Sequence, residues 1–98
     1  MFTGIIQQTG TVLSIEKNVS GKTIVIQTVK IAQKLKKGDS IAVNGVCLTI
    51  IKKEKNLLQC DVVQETLKKT NLEKTEGKRV NLESPLSFGD RVSGHYIS

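Results

Sequence analysis

Cys47 and Thr49 are the residues whose types and spacing most readily suggest chemistry. They lie two apart in an apolar run, Val46-Cys47-Leu48-Thr49-Ile50-Ile51, immediately after Asn44-Gly45. On a strand, side chains two apart share a face, so the spacing predicts a thiol beside a hydroxyl just past a tight turn. Asp61 stands in a second apolar run, Leu57 to Val63. A carboxylate there needs a partner or an outward position. The two runs are close enough in sequence to pair, which predicts a pocket built from Cys47, Thr49, Asp61 and the segment through Thr66. Each residue also has a plainer reading. A cysteine in an apolar run is more often a small buried hydrophobe than a nucleophile. Thr49 is an ordinary strand residue, and Asp61 points outward by alternation alone. Cys60 is out of phase with Asp61 and is expected in the core. Glu65-Thr66 reads as a helix start, with Asp61 or Thr66 capping free backbone N–H groups. His95, the one histidine, reads as a surface or interface residue.

The elements that must position these groups follow from local patterning. Gly38-Asp39 is a turn, Ile41-Ala42-Val43 an apolar run, and Asn44-Gly45 between β-favouring runs predicts a hairpin, because both residues tolerate positive φ. Before it, Thr11–Ile15 and Thr23–Val29 read as strands around an Asn18–Gly21 turn, and Ile31–Leu35 as one helical turn. After it come a charged turn from Lys52 to Asn56 and the Leu57–Val63 strand. Gln64–Leu72 changes period, with Thr66 and Thr70 four apart, and predicts a short helix. Glu73–Gly77 is a polar turn, Arg79–Glu83 a strand ended by Ser84-Pro85, and Arg91–Ile97 a last strand. Gly4 is placed to let the backbone pass close to a neighbour or bend. Many short strands with one helix favour a small closed antiparallel barrel, which also leaves no exposed sheet edge.

Composition narrows the function classes. The 98 residues fit one domain with a modest core. No apolar run reaches the ~18 residues of a membrane span, and no signal peptide opens the chain, so a cytoplasmic location is expected. Two cysteines make no disulfide framework, and the lone histidine leaves no zinc-ligand spacing, so no metal is expected. The net charge is +6. The lysines are scattered among glutamates, and Phe2, Phe88 and Tyr96 are the only aromatics. A basic barrel binding nucleic acid would need stacking platforms that this chain lacks, so no nucleic-acid partner is expected.

Four blocks in order, covering the whole chain, carry a family resemblance. They are Met1-Phe2-Thr3-Gly4-Ile5-Ile6, then Gly38-Asp39-Ser40-Ile41-Ala42-Val43 running into Asn44-Gly45-Val46-Cys47-Leu48-Thr49, then Glu65-Thr66-Leu67-Lys68-Lys69-Thr70-Asn71-Leu72, and last Val80-Asn81-Leu82-Glu83 with Gly89-Asp90-Arg91-Val92-Ser93-Gly94-His95. Together they resemble the lumazine-binding domain of the riboflavin synthases. The resemblance implies an all-β, six-stranded Greek-key barrel with short helices, spanning 1–98 as a single domain. It implies dismutation of 6,7-dimethyl-8-ribityllumazine, one molecule giving a four-carbon unit to another, to form riboflavin and 5-amino-6-ribitylaminouracil, with no metal or redox cofactor. It implies a site in which Gly4, Ile5 and Ile6 approach the ring, Cys47, Leu48 and Thr49 line the pocket, and Asp61, Val62, Val63, Gln64, Glu65 and Thr66 close it. Ser40 and Cys47 match positions that assist the chemistry, and Phe2 matches a position between domains.

One departure is large. The family's enzymes carry two such repeats and a C-terminal helix that holds a homotrimer, with the site formed between repeats of different subunits. Here there is one repeat, ending His95-Tyr96-Ile97-Ser98. Gln64, where relatives often have proline, is a smaller change. The resemblance therefore implies an isolated N-terminal half that binds riboflavin or the lumazine, turns over weakly or not at all, and pairs as a homodimer imitating the two-repeat arrangement. The competing reading within the fold is a non-catalytic lumazine or flavin carrier. Ser40 and Cys47 favour the enzyme, since a carrier needs neither.

Overall fold

The structure, a computed structural model, describes residues 6–84. The predicted strand 91–97 and the residues Phe2, Gly4, Ile5 and His95 lie outside the described residues. Six antiparallel strands close a barrel in the order β1-β2-β5-β4-β3-β6. They are β1 (Ile6–Lys17), β2 (Gly21–Gln27), β3 (Ser40–Val43), β4 (Val46–Glu54), β5 (Leu57–Val63) and β6 (Arg79–Ser84). The closed all-β barrel expected from strand density is what forms.

Alternation builds the interior. Ile24 and Ile26, Leu58 with Cys60 and Val62, and Val80 with Leu82 face inward at every second position. Leu48 and Ile50 do the same on β4, and Ile41 and Val43 on β3. A 3₁₀ turn, Ile31–Lys34, adds Ile31 and Ala32, with Leu35 just after it. The helix α1 (Gln64–Lys69) adds Leu67, and a 3₁₀ turn at Leu72–Lys74 adds Leu72. Among the described residues the core is aliphatic apart from Cys60.

β1 serves two neighbours. Ile6–Thr11 pairs with β6 and Thr11–Lys17 with β2, with a register shift between Val12 and Ser14. The predicted Thr11–Ile15 strand is therefore only the second half of the real one. Asn44 and Gly45 both take positive φ, 51° and 83°, as the predicted hairpin demands. Asn44 also reaches across the barrel: its N–H donates to Asn81 O at 2.8 Å, and Asn81 N–H donates to Asn44 Oδ1 at 2.8 Å.

Three predicted boundaries are corrected. β2 runs Gly21–Gln27 rather than Thr23–Val29: it starts earlier, where Gly21 pairs with Val63, and ends before Thr28. The turn expected from Lys52 to Asn56 is narrower: β4 runs on through Glu54, and Lys55 turns at φ 49°. The predicted helix to Leu72 stops at Lys69. Thr70 is extended, at φ −134°, and its hydroxyl donates to Thr66 O at 2.9 Å, where the next helical N–H would have bonded. No helix among the described residues is long and apolar enough to cross a membrane.

Candidate functional site

β3 and β4 form the organising hairpin, with Ser40 opposite Thr49 and Ala42 opposite Cys47. On β4, Leu48 and Ile50 are buried, so Cys47 and Thr49 face outward together, and both are exposed. The plain reading of Cys47 as a buried hydrophobe is thus overturned: parity with Leu48 puts its thiol in solvent. Asp61 is exposed on β5 between buried Cys60 and Val62, directly opposite Thr49. The expected pairing of these strands holds, and it brings Cys47, Thr49 and Asp61 onto one face.

What the sequence did not reveal is where that pairing stops. The β4–β5 register runs from Glu54↔Leu57 to Thr49↔Asp61. Both strands continue, β4 back to Val46 and β5 on to Val63, yet no register joins Leu48 to Val62 or Cys47 to Val63. The two strand ends part. Ile50 N–H donates to Asp39 O at 2.9 Å, and Ile50 O accepts from Gly38 N–H at 2.7 Å, so Ile50 bonds toward the β3 side. Strand alternation then turns the N–H and C=O of Cys47 toward the β5 side, where the ladder has ended. On β5, Gln64 N–H donates to Ser20 O at 3.0 Å, toward β2, so the backbone groups of Val63 face the same opening.

The end of β5 is drawn away from β4 by β2. Val62 and Val63 pair with Lys22 and Gly21. A Cβ at Gly21 would collide with Val62 O and lie 2.9 Å from Gln64 N, so only glycine admits this approach. The β1–β2 turn and the end of β5 are therefore packed backbone to backbone. α1 starts at this point, with Val63 as its first flanking residue and no side-chain cap. Neither Asp61 nor Thr66 caps it, contrary to expectation, because Asp61 is occupied by the neighbouring turn.

Asp61 Oδ1 accepts from Asn18 Nδ2 at 3.0 Å and from Thr23 Oγ1 at 3.4 Å. Its Oδ2 has no partner among the described residues. The Ser40 and Thr49 hydroxyls and the Cys47 thiol are likewise uncommitted among the described residues. Cys60, one residue from Asp61, is fully buried, and burial together with the Asp61 charge pushes its thiol up to about 12. It stays protonated and inert at neutral pH. The two cysteines thus have opposite fates on adjacent strands.

The remaining predicted residues are spread around this centre. Leu48 and Val62 are core residues, 4% and 2% exposed, so only their backbones can reach a ligand. Val63 is 51% exposed and offers an apolar wall. Gln64 is exposed, Thr66 half-buried, and the Glu65 carboxylate lies 3.4 Å from Lys69 Nζ. Ile6 begins β1 opposite Ser84, around the barrel from β4 past β3 and β6. Asn18 is a member of this cluster that sequence reading missed; the Asn18–Gly21 turn was legible, but not its contact with Asp61 across 43 positions. A separate shallow depression lined by Gln8, Thr9, Asn81, Leu82 and Glu83 carries no nucleophile, and its Gln8 Oε1 is occupied by Ile31 N–H at 2.6 Å. Among the described residues no group of three or more His, Cys, Asp or Glu could hold a metal.

The site therefore offers a strand opening edged by free backbone groups, with a thiol, two hydroxyls and one carboxylate oxygen on a single face. Residues 3–85 match the family model of the lumazine binding domain. The chain is 44% identical over 99 aligned positions to the riboflavin synthase of Bacillus subtilis (strain 168), covering all of this chain and 46% of that protein. It is 41% identical to those of Actinobacillus pleuropneumoniae and Chlamydia pneumoniae, covering all of this chain and 46% and 50% of theirs. It spans about half the length of these relatives and aligns along its whole length with them, and it belongs to the lumazine-binding domain family.

Proposed function

We propose that the β4–β5 opening binds 6,7-dimethyl-8-ribityllumazine or riboflavin, and that the chain serves as the N-terminal half-site of a riboflavin synthase. The observation that carries this is the parted strand ends, with Cys47, Thr49, Asp61 and Val63 around them. A flat ring with N–H and C=O groups on its edge can bond the Cys47 and Val63 backbones as a missing strand would. Val63 covers part of its face, and the hydroxyls of Thr49 and Ser40 with Asp61 Oδ2 suit a ribityl chain. Leu48 and Val62 shape the opening through their backbones, and Gln64, Glu65 and Thr66 close it at the start of α1. Gly4, Ile5 and Ile6 are assigned to ring contacts by the family resemblance alone: Gly4 and Ile5 lie outside the described residues, and Ile6 stands on β1, away from β4.

The reaction needs little from the protein beyond position and polarisation. Two lumazines are consumed; one surrenders a four-carbon unit and becomes 5-amino-6-ribitylaminouracil, and the other becomes riboflavin. The exchange balances without an external oxidant or a metal or redox cofactor. Ser40 and Cys47 lie on neighbouring strands of the open face, which supports a reading in which the thiol adds to the ring and the hydroxyl orients a water. The second lumazine requires a second barrel, so a homodimer of this chain is the reading for the isolated domain. The strand order supports a Greek-key path, and a cytoplasmic location suits free thiols.

Fluorescence titration with riboflavin and with the lumazine tests this. Saturable quenching at one ligand per chain supports the site, and riboflavin appearing from lumazine, lost in Cys47→Ser, supports catalysis by paired domains. Binding with no product leaves a competent half-site that needs its missing repeat. Absence of binding to either ligand overturns the reading.

A further inference from the structure

We propose that Asn18 is a positioning residue of the ligand site: it clamps one oxygen of Asp61 so that the other faces the opening as an acceptor for hydroxyl or ring N–H groups. This rests on the reading of the β4–β5 opening as the ligand site.

All four bonding positions of the Asn18 carboxamide are used. Its Oδ1 accepts from Ser20 N–H at 2.9 Å and Gly21 N–H at 2.8 Å. Its Nδ2 donates to Thr23 Oγ1 at 2.8 Å and Asp61 Oδ1 at 3.0 Å. The assignment of O and N is fixed chemically, because a flipped amide would set its NH₂ against two backbone N–H donors. One side chain therefore closes the β1–β2 turn and ties it to β5 at the residue where β4 and β5 part.

The clamp is made of neutral donors. Asp61 has no ion-pair partner among the described residues. The cations near it are engaged elsewhere or out of reach: Lys22 Nζ is 2.8 Å from Glu73, and Lys69 pairs with Glu65. On the elements packed against Asp61, the other charged or titratable groups are Glu16 and Lys17 on β1, Cys47, Lys52, Lys53 and Glu54 on β4, Lys68 on α1, and buried Cys60 beside it; Lys53 Nζ donates to Leu35 O at 2.9 Å, and no lysine among them is within ion-pair distance of the carboxylate. A carboxylate held by neutral groups keeps its charge for the ligand, whereas an Arg or Lys partner would have absorbed it. Oriented this way, Asp61 favours uncharged, donor-rich ligands.

Asn18→Asp separates the two jobs of the residue. It keeps the Oδ1 acceptor of the turn but replaces the Nδ2 donor with an oxygen facing Asp61. Two facing carboxylates repel, and one takes up a proton as pH falls. The experiment is riboflavin titration of the full chain at about pH 8 and about pH 5, with Asp61 followed by carboxyl ¹³C NMR. The expected result is a loss of affinity of roughly tenfold at the higher pH that narrows to about twofold at the lower, with Asp61 titrating higher than in the wild type. Asn18→Ala, which also loses the turn, is expected to weaken binding about equally at both values. Equal binding by Asn18→Asp and wild type, or an equal loss at both pH values, overturns the proposal, as does an unmoved Asp61 titration. If wild type binds no riboflavin, the site reading fails instead, and the NMR titration still decides whether Asn18 governs Asp61.

Discussion

The two ends of the β4–β5 pair are built differently. At one end Ile50 to Glu54 is zipped to Leu57 to Cys60, and its inward side chains, Ile50, Leu58 and Cys60, are fully buried. At the other end the ladder stops and the outward side chains are exposed; those of Cys47 and Thr49 have no partner among the described residues, and Asp61 is bonded through Oδ1 alone. The zipped end is held by the pairing of the two strands with each other as well as by β2 along the far side of β5. The open end is held by third parties: β3 holds Cys47 and Thr49, and β2 with the Asn18 turn holds Asp61 and Val63. A site can thus be fixed in place while its own backbone groups stay free, because the ordering is supplied from behind.

Substitutions sharpen this contrast. Ile50→Ala, in the zipped end, is expected to cost about 2–5 kcal/mol in urea unfolding through lost burial and the cavity left behind. Gly21→Ala attacks the open end from behind. A methyl driven against Val62 O forces the end of β5 to shift, so a cost of about 1–3 kcal/mol is expected together with loss of riboflavin quenching. Asp61→Asn and Thr49→Ala reverse that pattern: each is expected to weaken riboflavin binding roughly tenfold while leaving stability within about 0.5 kcal/mol.

The cysteines test the same contrast by pH and reactivity. Ellman's reagent is expected to titrate Cys47 at once and Cys60 only on unfolding. The folded Cys60 thiol, at about 12, lies above the ordinary value of 9.0, so the folded state holds its proton more tightly than the unfolded state does. Its contribution to stability is therefore complete below about pH 9 and lost as pH rises toward 12. Cys60→Ala is expected to be less stable than wild type at neutral pH, with the gap narrowing under alkaline conditions. Unchanged spacing between the two curves would count against burial as the cause. The smallest effect on stability is expected for Glu65→Gln, because the side chain is solvent-exposed and paired with Lys69: unfolding free energy within about 0.5 kcal/mol of wild type.

Much of the hairpin and barrel was legible because it is local. Asn44-Gly45 demands positive φ, and Leu57–Val63 alternates without interruption, so the hairpin turn and β5 could be read with their limits, and Cys60 and Asp61 could be set on opposite faces. The first half of β1 escaped because Gln7, Gln8 and Gly10 carry no strand signature; pairing with β6 makes it a strand. The helix was read too long because Thr70, at helical spacing from Thr66, bonds back to it and ends the helix. Of the site, the trio Cys47, Thr49 and Asp61 could be inferred from pairing and parity. The opening between the strands could not, because it arises from the backbone contact between Gly21 and the end of β5. Asn18 read as a turn former and nothing more, since its second role depends on the register of β2 with β5.

β6 has a further consequence, for the order in which the barrel is assembled. It is the closing strand, lying between β1 and β3, and its partners are remote in sequence: Ile6 meets Ser84, and Asn44 meets Asn81. Among the described strands it is also the last to leave the ribosome. Until Arg79 emerges, the nascent chain holds at most a five-stranded open sheet whose margins, β1 and β3, await the same late partner. Pairings of such separation form slowly, and the waiting margins can be taken by another chain. Asn44, bonded to Asn81 by both backbone and side chain, is the clasp on that late closure. Asn44→Ala is expected to slow refolding and raise the aggregated fraction during synthesis, more than it lowers the stability of the finished barrel.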